Sequence, residues 1–550
     1  MADTKDCTQR VIITNGIVVS GGTEKKADIL VENGRIVKTK ANLLLGSLLR
    51  RAESELLDAD GCYVFPGFID AFTRLETEAF IPGETEPVCS PDNFESGTKA
   101  AIAGGTTSII NCAVQKKGQS LQDALDEQHA SALNKSSCNY GFHIAVTSLG
   151  TAVQTDEEKA VENKEDKEEE TDTQKDVQKA KQKKEQSPSP AEALKEQMTK
   201  TVMRGVSSYA VYMTGENIQL SDHEIFEILN AAKEHKALIC CHCENADMVK
   251  HFIEEQLENR KKRPSSHPVS RPPAVEAEAV SRFLALAQMA DIPVYILNVT
   301  AKQSLEQIKL AKKRGQNFFG GTCPHYLLLT DSSYRKGGFA GARFICNPPL
   351  RKKPDLKALQ KELMRCKADG TPGTKDNSYI DLICSNHAVF DFAEQEKAAK
   401  KNFSKVAPGI SGAQYRAALI FTAAHVGTED ESEKKELAPG FRLTPAQFSA
   451  LMSENPAKIF GLYPGRGSLN RGAAADITVW DPSFSTIIND NNNNLHRGGY
   501  TPYEGIKIRG RAKYVLLNGK LCVKDGRVIE EHQGSYLFRK TGYPAFEQKE

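Results

Sequence analysis

The sequence predicts an α/β fold, a (β/α)8 barrel inserted in a small β domain that both ends of the chain build together. Two observations predict it. Short β-branched runs broken by Asn-Gly turns recur near both termini. Between them, apolar strand-like runs alternate with helix-like segments over about 400 residues, the rhythm of a barrel. A doubly wound sheet is the competing architecture.

At the N-terminal end, Val11–Ser20 is two runs split by Asn15-Gly16, and Asp28–Val37 repeats the pattern. Near the C-terminal end, Ala475–Trp480 and Lys513–Val523 do the same. In the middle, Thr107–Asn111, Gly141–Val146, Ser208–Met213, Ala237–His242 and Val294–Asn298 are strand candidates. Helix-like segments at Asn93–Ala103, His223–His235, Val275–Ala290 and Ser304–Lys313 lie among them. The expected organisation is a β part over 10–66, the barrel over 67–465, a second β part over 466–532 and an extension over 533–550.

One segment departs from this rhythm. Thr155–Pro190 holds 12 acidic residues and eight lysines, acidic in its first half and basic in its second. It has too little apolar area to offset ordering and is expected to be a disordered or frayed-helical surface loop. Ser187 and Ser189 at its end are candidate phosphorylation sites. The Asn-rich stretch Asn489–Asn494 is a second expected surface loop.

Composition narrows the function. The 550 residues carry 72 Lys+Arg against 71 Asp+Glu, a net charge of +1, so no global field favours nucleic acid or an anionic membrane. No run approaches the roughly 20 apolar residues of a membrane span. The start Met1-Ala-Asp-Thr-Lys-Asp-Cys7 has no apolar signal core. Thirteen cysteines in a chain this long suggest reduced thiols, and a cytoplasmic location is expected. Cys240, Cys241 and Cys243 alternate across a strand with His242 and are read as small buried hydrophobes.

Several stretches in order resemble one family. Gly61-Cys-Tyr-Val-Phe-Pro-Gly-Phe-Ile-Asp70 is similar to the start of the barrel in the cyclic amidohydrolases, and Gly97–Ser108 to the helix-to-strand passage that follows. Ser270-Arg-Pro-Pro-Ala-Val-Glu-Ala-Glu-Ala-Val280 resembles the dihydropyrimidinase branch, as do Asn455–Pro464, Gly467 and Ala475–Pro482. Thr322–Thr330 is similar to the hydantoinase and allantoinase versions, and Asn347-Pro-Pro-Leu-Arg351 also matches the family. The matches run from about Val11 to Gln548 and miss the charged loop. The resemblance implies a TIM barrel with a terminal β-sandwich, assembled as a homotetramer. It also implies hydrolysis of a cyclic amide by water held between two divalent metals, which lower the pKa of water and polarise the carbonyl.

The metal-ligand positions that the resemblance implies hold other residues here. The His-x-His after the first strand falls on Phe72 and Arg74, the bridging lysine on Glu216, the second lone histidine on Asn298 and the aspartate on Asn386. Only His242 keeps the family residue, and Glu216 is the other available donor. Phenylalanine has no lone pair to give, arginine is a fixed cation, and a neutral amide is a weak ligand and no base. His387 and His325 stand beside family positions and are read as structural.

The expectation that follows is a pseudoenzyme with no catalytic or cofactor-binding residues and no metal, His242 and Glu216 being weak candidates. It resembles the collapsin response mediator proteins, which implies a cytoplasmic scaffold linked to microtubules, axon guidance and neuron development. Expected partners are further copies of the chain in a tetramer, related family members, and cytoskeletal or signalling proteins. The alternative is an enzyme of the dihydropyrimidinase or hydantoinase type with an atypical zinc site. A third reading is an inactive subunit that regulates an active dihydropyrimidinase.

Overall fold

The computed structural model of the protein describes residues 10–43, 54–149, 189–427, 441–489 and 494–543. Eight parallel strands pair in chain order: Phe68–Thr73, Thr106–Val114, Asn139–Ala145, Ser208–Tyr212, Leu238–His242, Val294–Leu297, Phe318–Thr322 and Leu382–Ile383. Every residue of these strands except Val114 is buried, as a parallel sheet covered by helices requires. The predicted (β/α)8 barrel is therefore the observed architecture, and the doubly wound alternative is not.

Closure depends on contacts beyond the two-residue eighth strand. Asn386 N donates to Phe72 O at 3.0 Å, and Arg74 N donates to His387 O at 2.8 Å. Inside the barrel, the fully buried Arg416 bridges the same seam. Its Nη1 donates to Ile69 O of the first strand at 3.0 Å and to Ile383 O of the eighth at 2.7 Å. Asp70 faces it, with Oδ2 3.7 Å from Arg416 Nε.

The four helices expected from sequence form at Phe94–Ala103, Asp222–Glu234, Pro273–Ala290 and Lys302–Lys313. Asn93 and Ser221 begin the first two with reciprocal capping boxes, each cap contributing about 1 kcal/mol. Gly104, after the first helix, has no room for a side chain, because a Cβ there would lie 2.2 Å from Gln414 O.

Both ends of the chain build the second layer. A four-stranded sheet contains Arg10–Thr14, Asp28–Glu32, Arg35–Lys40 and Ser54–Asp58. A seven-stranded sheet joins Ile17–Ser20, Thr23–Lys26 and Tyr63–Pro66 to Ile477–Ile487, Lys507–Leu517, Lys520–Lys524 and Arg527–Val528. Val11, Ile13, Ile29 and Val31 of the first sheet share an apolar cluster with Val64, Ile477, Val479 and Leu516 of the second. The residues after 533 run back along the barrel. Leu537 N donates to Tyr140 O at 2.7 Å, Arg539 N to Gly205 O at 3.1 Å, and the buried Arg539 Nη1 to Ser208 Oγ at 2.7 Å. Among the described residues no helix is long and apolar enough to cross a membrane.

Candidate active site

The C-terminal ends of the barrel strands surround a cavity of about 1080 Å³. Strand ends supply its floor. Phe72 and Arg74 come from the end of the first strand, Tyr212 and His242 close the fourth and fifth, Asn298 follows the sixth and Asn386 lies past the eighth. Glu216 is exposed and lines the same cavity. All six positions singled out in the sequence therefore line one space. Asn298 and Asn386 both adopt left-handed backbone, φ 52° and 48°, which asparagine tolerates better than most residues.

His242 Nε2 lies 3.0 Å from Glu244 Oε2, and Arg271 Nη1 lies 2.6 Å from the same oxygen. Glu244 is fully buried. Burial alone would push its carboxyl up, but the Arg271 charge and the bond from His242 overrule that and hold it down at about 2. The carboxylate is thus ionised and accepts the Nε2 proton of His242. His242 Nδ1 has no hydrogen-bond partner among the described residues, and the ring lines the cavity.

A buried network fixes this pair. Arg351 donates to the Arg271 carbonyl oxygen and, at 2.9 Å, to Glu276 Oε2. Glu276 Oε1 also accepts from Thr300 N at 2.9 Å and Ser304 Oγ at 2.7 Å, holding the loop after Asn298. The Ser270–Val280 motif and Arg351 thus act together. Sequence reasoning missed Glu244 and Arg271. The signal for Glu244 was present: it stands two residues after His242, a spacing that lets extended backbone present both on one face. Arg271 is 27 residues further on and is brought in only by the fold.

Arg74 is the other charge on the floor. Its Nη2 donates to Pro408 O at 3.2 Å, while its buried Nε has no hydrogen-bond partner. Two neutral acids stand nearby in the lining, with Tyr212 OH 3.7 Å from Cys112 Sγ. Burial pushes the Cys112 thiol up to about 11 and the Tyr212 phenol well above its ordinary range, so both keep their protons at neutral pH.

Glu244 gives a pH prediction with a defined sign. Its carboxyl sits below the ordinary 4.5, so its stabilising contribution is full above about pH 4.5 and is lost as pH falls towards 2. Glu244→Gln should flatten the loss of thermal stability over that window. An unchanged acid limb in a melting series would show that the carboxylate does not contribute to it.

His387 Nε2 lies 2.7 Å from Asp92 Oδ2 and its Nδ1 accepts from Gly412 N at 3.0 Å, so both nitrogens are engaged away from the cavity lining. His325 is buried against Tyr326. Cys240, Cys241 and Cys243 are buried free thiols. Ser189 caps the helix Pro190–Val202, accepting from Glu192 N. Ser187, the rest of the charged loop and part of Asn489–Asn494 lie outside the described residues.

The divalent metal pair that the resemblance implies can be tested against these side chains. Among the described residues no group of three His, Cys, Asp or Glu converges on one point. Glu244 Oε2 is engaged by both His242 and Arg271, and Arg74 places a fixed cation where the family places a ligand. These donors do not fit a two-metal centre of the family pattern.

Comparison with known proteins places this site in context. The profile of the Amidohydrolase family matches residues 63–297 and 428–522. The D-hydantoinase of Geobacillus stearothermophilus is 30% identical over 530 residues, 96% of each chain. That of Ralstonia pickettii is 30% identical over 533 residues, 96% of this chain and 99% of its own. A D-hydantoinase crystal structure superposes with a TM-score of 0.79 at 29% identity, covering 97% of this chain and 99% of the other. The dihydropyrimidinase from Brevibacillus agri NCHU1002 does so with the same score and coverage at 27% identity.

These relatives correct the expectation of a non-catalytic scaffold of the collapsin response mediator type. With it fall the pseudoenzyme assignment and the links to microtubules, axon guidance and neuron development, since the similarity to proteins named as enzymes extends over nearly the whole chain. The expectation of no cofactor rested on the same inactive reading and falls too, because the profile match and the named enzymes belong with metal chemistry as the resemblance implies it. The physical reason for the error is specific. The metal-ligand positions read singly give no sign of the buried His242–Glu244–Arg271 network, which the fold assembles beside the Arg74 charge.

Proposed function

Because the chain belongs to the amidohydrolase family, we propose that its barrel mouth hydrolyses a cyclic amide of the hydantoin or dihydropyrimidine type. The observation that carries this reading is the similarity to D-hydantoinases over nearly the full length of both chains, with the cavity at the catalytic face of the barrel. The residues of the floor have chemistry that suits the reaction. Arg74 donates to the ring carbonyl oxygen and stabilises the negative charge that develops there. Asn298 and Asn386 hold the neighbouring polar edge of the ring. His242 Nδ1 takes a proton from the attacking water, while Glu244 accepts from Nε2 and stabilises the imidazolium that forms. The water oxygen bonds to the carbonyl carbon, the ring C–N bond breaks, and His242 returns the proton to the departing nitrogen. The metal-ligand positions hold side chains different from those the resemblance implies, so the site is an atypical one.

We place the protein in the cytosol as an oligomer of its own kind. All twelve cysteines among the described residues are free and eleven are buried, which supports a reducing compartment. Light scattering of the purified chain checks the tetramer that the resemblance implies.

The test is turnover of dihydrouracil and hydantoin, followed by loss of ring absorbance, in protein supplied with zinc and in protein treated with chelator. Ring opening above the buffer rate is expected. No turnover of either compound in either condition, with a bacterial D-hydantoinase active alongside, would overturn the reading.

A further inference from the structure

The floor of the cavity is rich in donors that the protein itself leaves unused. Arg74 makes one hydrogen bond, through Nη2, and no carboxylate lies within ion-pair distance of it among the described residues. Asn298 accepts from Cys323 Sγ at 3.2 Å through Oδ1, which leaves its Nδ2 protons unpaired. The Asn386 side chain makes no hydrogen bond among the described residues and lines the same space. The other lining charges are either paired or exposed to solvent, the half-buried Glu76 excepted. Glu244 is paired with Arg271, Lys116 lies 3.1 Å from Glu127, and Lys405 lies 3.3 Å from Glu84. Arg74 is thus a half-buried guanidinium without a carboxylate partner among the described residues, in one lining with the side-chain amides of Asn298 and Asn386.

We propose that this floor is a carboxylate site, and that it holds the ring-opened ureido acid more tightly than the neutral cyclic amide. The identity of the ligand rests on the function proposed above; the preference for an anion rests on Arg74 and its neighbours alone. Hydrolysis turns a neutral ring carbonyl into a carboxylate. The water oxygen joins the carbonyl carbon, the ring C–N bond breaks, the departing nitrogen gains one of the water's protons, and at neutral pH the new acid gives the other to solvent. A neutral amide oxygen gains only a hydrogen bond from a fixed guanidinium. A carboxylate gains a charge-assisted pair that can be bidentate, roughly twice as strong per bond. Arginine remains a cation throughout the pH range of the reaction. The arrangement thus favours the acid over the amide, and it makes the chain a product-retaining or acid-sensing member of its family.

The probes are N-carbamoyl-β-alanine, its primary amide as a neutral isostere, and dihydrouracil, titrated calorimetrically into the full chain at low and high salt. The acid should bind at least about tenfold more tightly than its amide at low salt, with the gap narrowing as salt rises. Arg74→Gln should erase the gap, and Arg74→Lys should restore part of it. Equal binding of acid and amide by the unaltered protein, binding of neither, or a gap that survives Arg74→Gln in a variant with an unchanged melting temperature would overturn the proposal. The acid-against-amide comparison needs no variant, so a misfolded Arg74→Gln leaves the test intact. The two readings fail separately. Acid preference without turnover of any cyclic amide sinks the hydrolase reading alone, and turnover without acid preference sinks this one alone.

Discussion

Replacing Arg416 with methionine is expected to destabilise the protein by about 3–5 kcal/mol, read as a fall in the urea midpoint. Methionine keeps an unbranched apolar stem like that of arginine, so the packing of the stem changes little. What changes is charge. Arg416 is fully buried, donates to the backbone of the first and eighth barrel strands, and faces the equally buried Asp70. Without the guanidinium, Asp70 is left as an uncompensated buried charge, and Ile69 O and Ile383 O each lose a donor. The double variant Arg416→Met with Asp70→Asn should recover part of the loss, because it removes the orphaned charge along with its partner. The effect reaches function, since this seam carries Phe72 and Arg74 on one side and Asn386 on the other. A midpoint unchanged in the single variant would show that the barrel closes without this pair.

The barrel was legible in sequence because its strands are buried on both faces and so read as apolar runs of β-branched residues. The runs at 208–213, 237–242 and 294–298 lie on the observed strands Ser208–Tyr212, Leu238–His242 and Val294–Leu297. The terminal layer was legible for another reason. Asn15, Asn33 and Asn518 all take positive φ at turns, and Asn-Gly is the pair that best tolerates it. The eighth strand was not legible, because two residues of regular pairing carry no periodicity and its closure depends on Arg416 from more than 30 residues away.

The site was legible position by position but not as a network. Motif order placed Phe72, Arg74, His242, Asn298 and Asn386 on one surface, and the cavity contains them all. The inference from those identities to an inert surface failed because it treated the absence of metal ligands as the absence of chemistry. Charge and hydrogen bonding are properties of arrangements. Glu276 and Arg351 are 75 residues apart and Asp92 and His387 are 295 apart, yet each pair is in contact. No local pattern signals such contacts. The full-length similarity to hydantoinases reports on the arrangement as a whole, which is why it outweighs six positions read singly.

Turnover should fall by about 10²- to 10⁴-fold when His242 is replaced by asparagine, with the loss in kcat and little change in KM. Asparagine is too short to replace the Nε2 bond, but Glu244 keeps its partner Arg271 at 2.6 Å, so the buried carboxylate stays compensated and the fold is retained. What it cannot do is accept a proton from water. A purely structural role for His242 would give a different signature: a lowered melting temperature and a KM that rises with the loss. His242→Ala adds a sharper test. The space left by the ring faces the cavity, so imidazole added to the solution should restore part of the turnover, as it can for a missing base and cannot for a missing packing contact. If the asparagine variant keeps its activity, the base lies elsewhere. Tyr212 and Cys112 are poor substitutes, because burial keeps both protonated at neutral pH. The remaining carboxylate among the predicted positions is Glu216, and its exposure puts it in contact with bulk water rather than with a water held against the ring. His242 is the base that this geometry favours, and imidazole rescue is the measurement that separates it from Glu216.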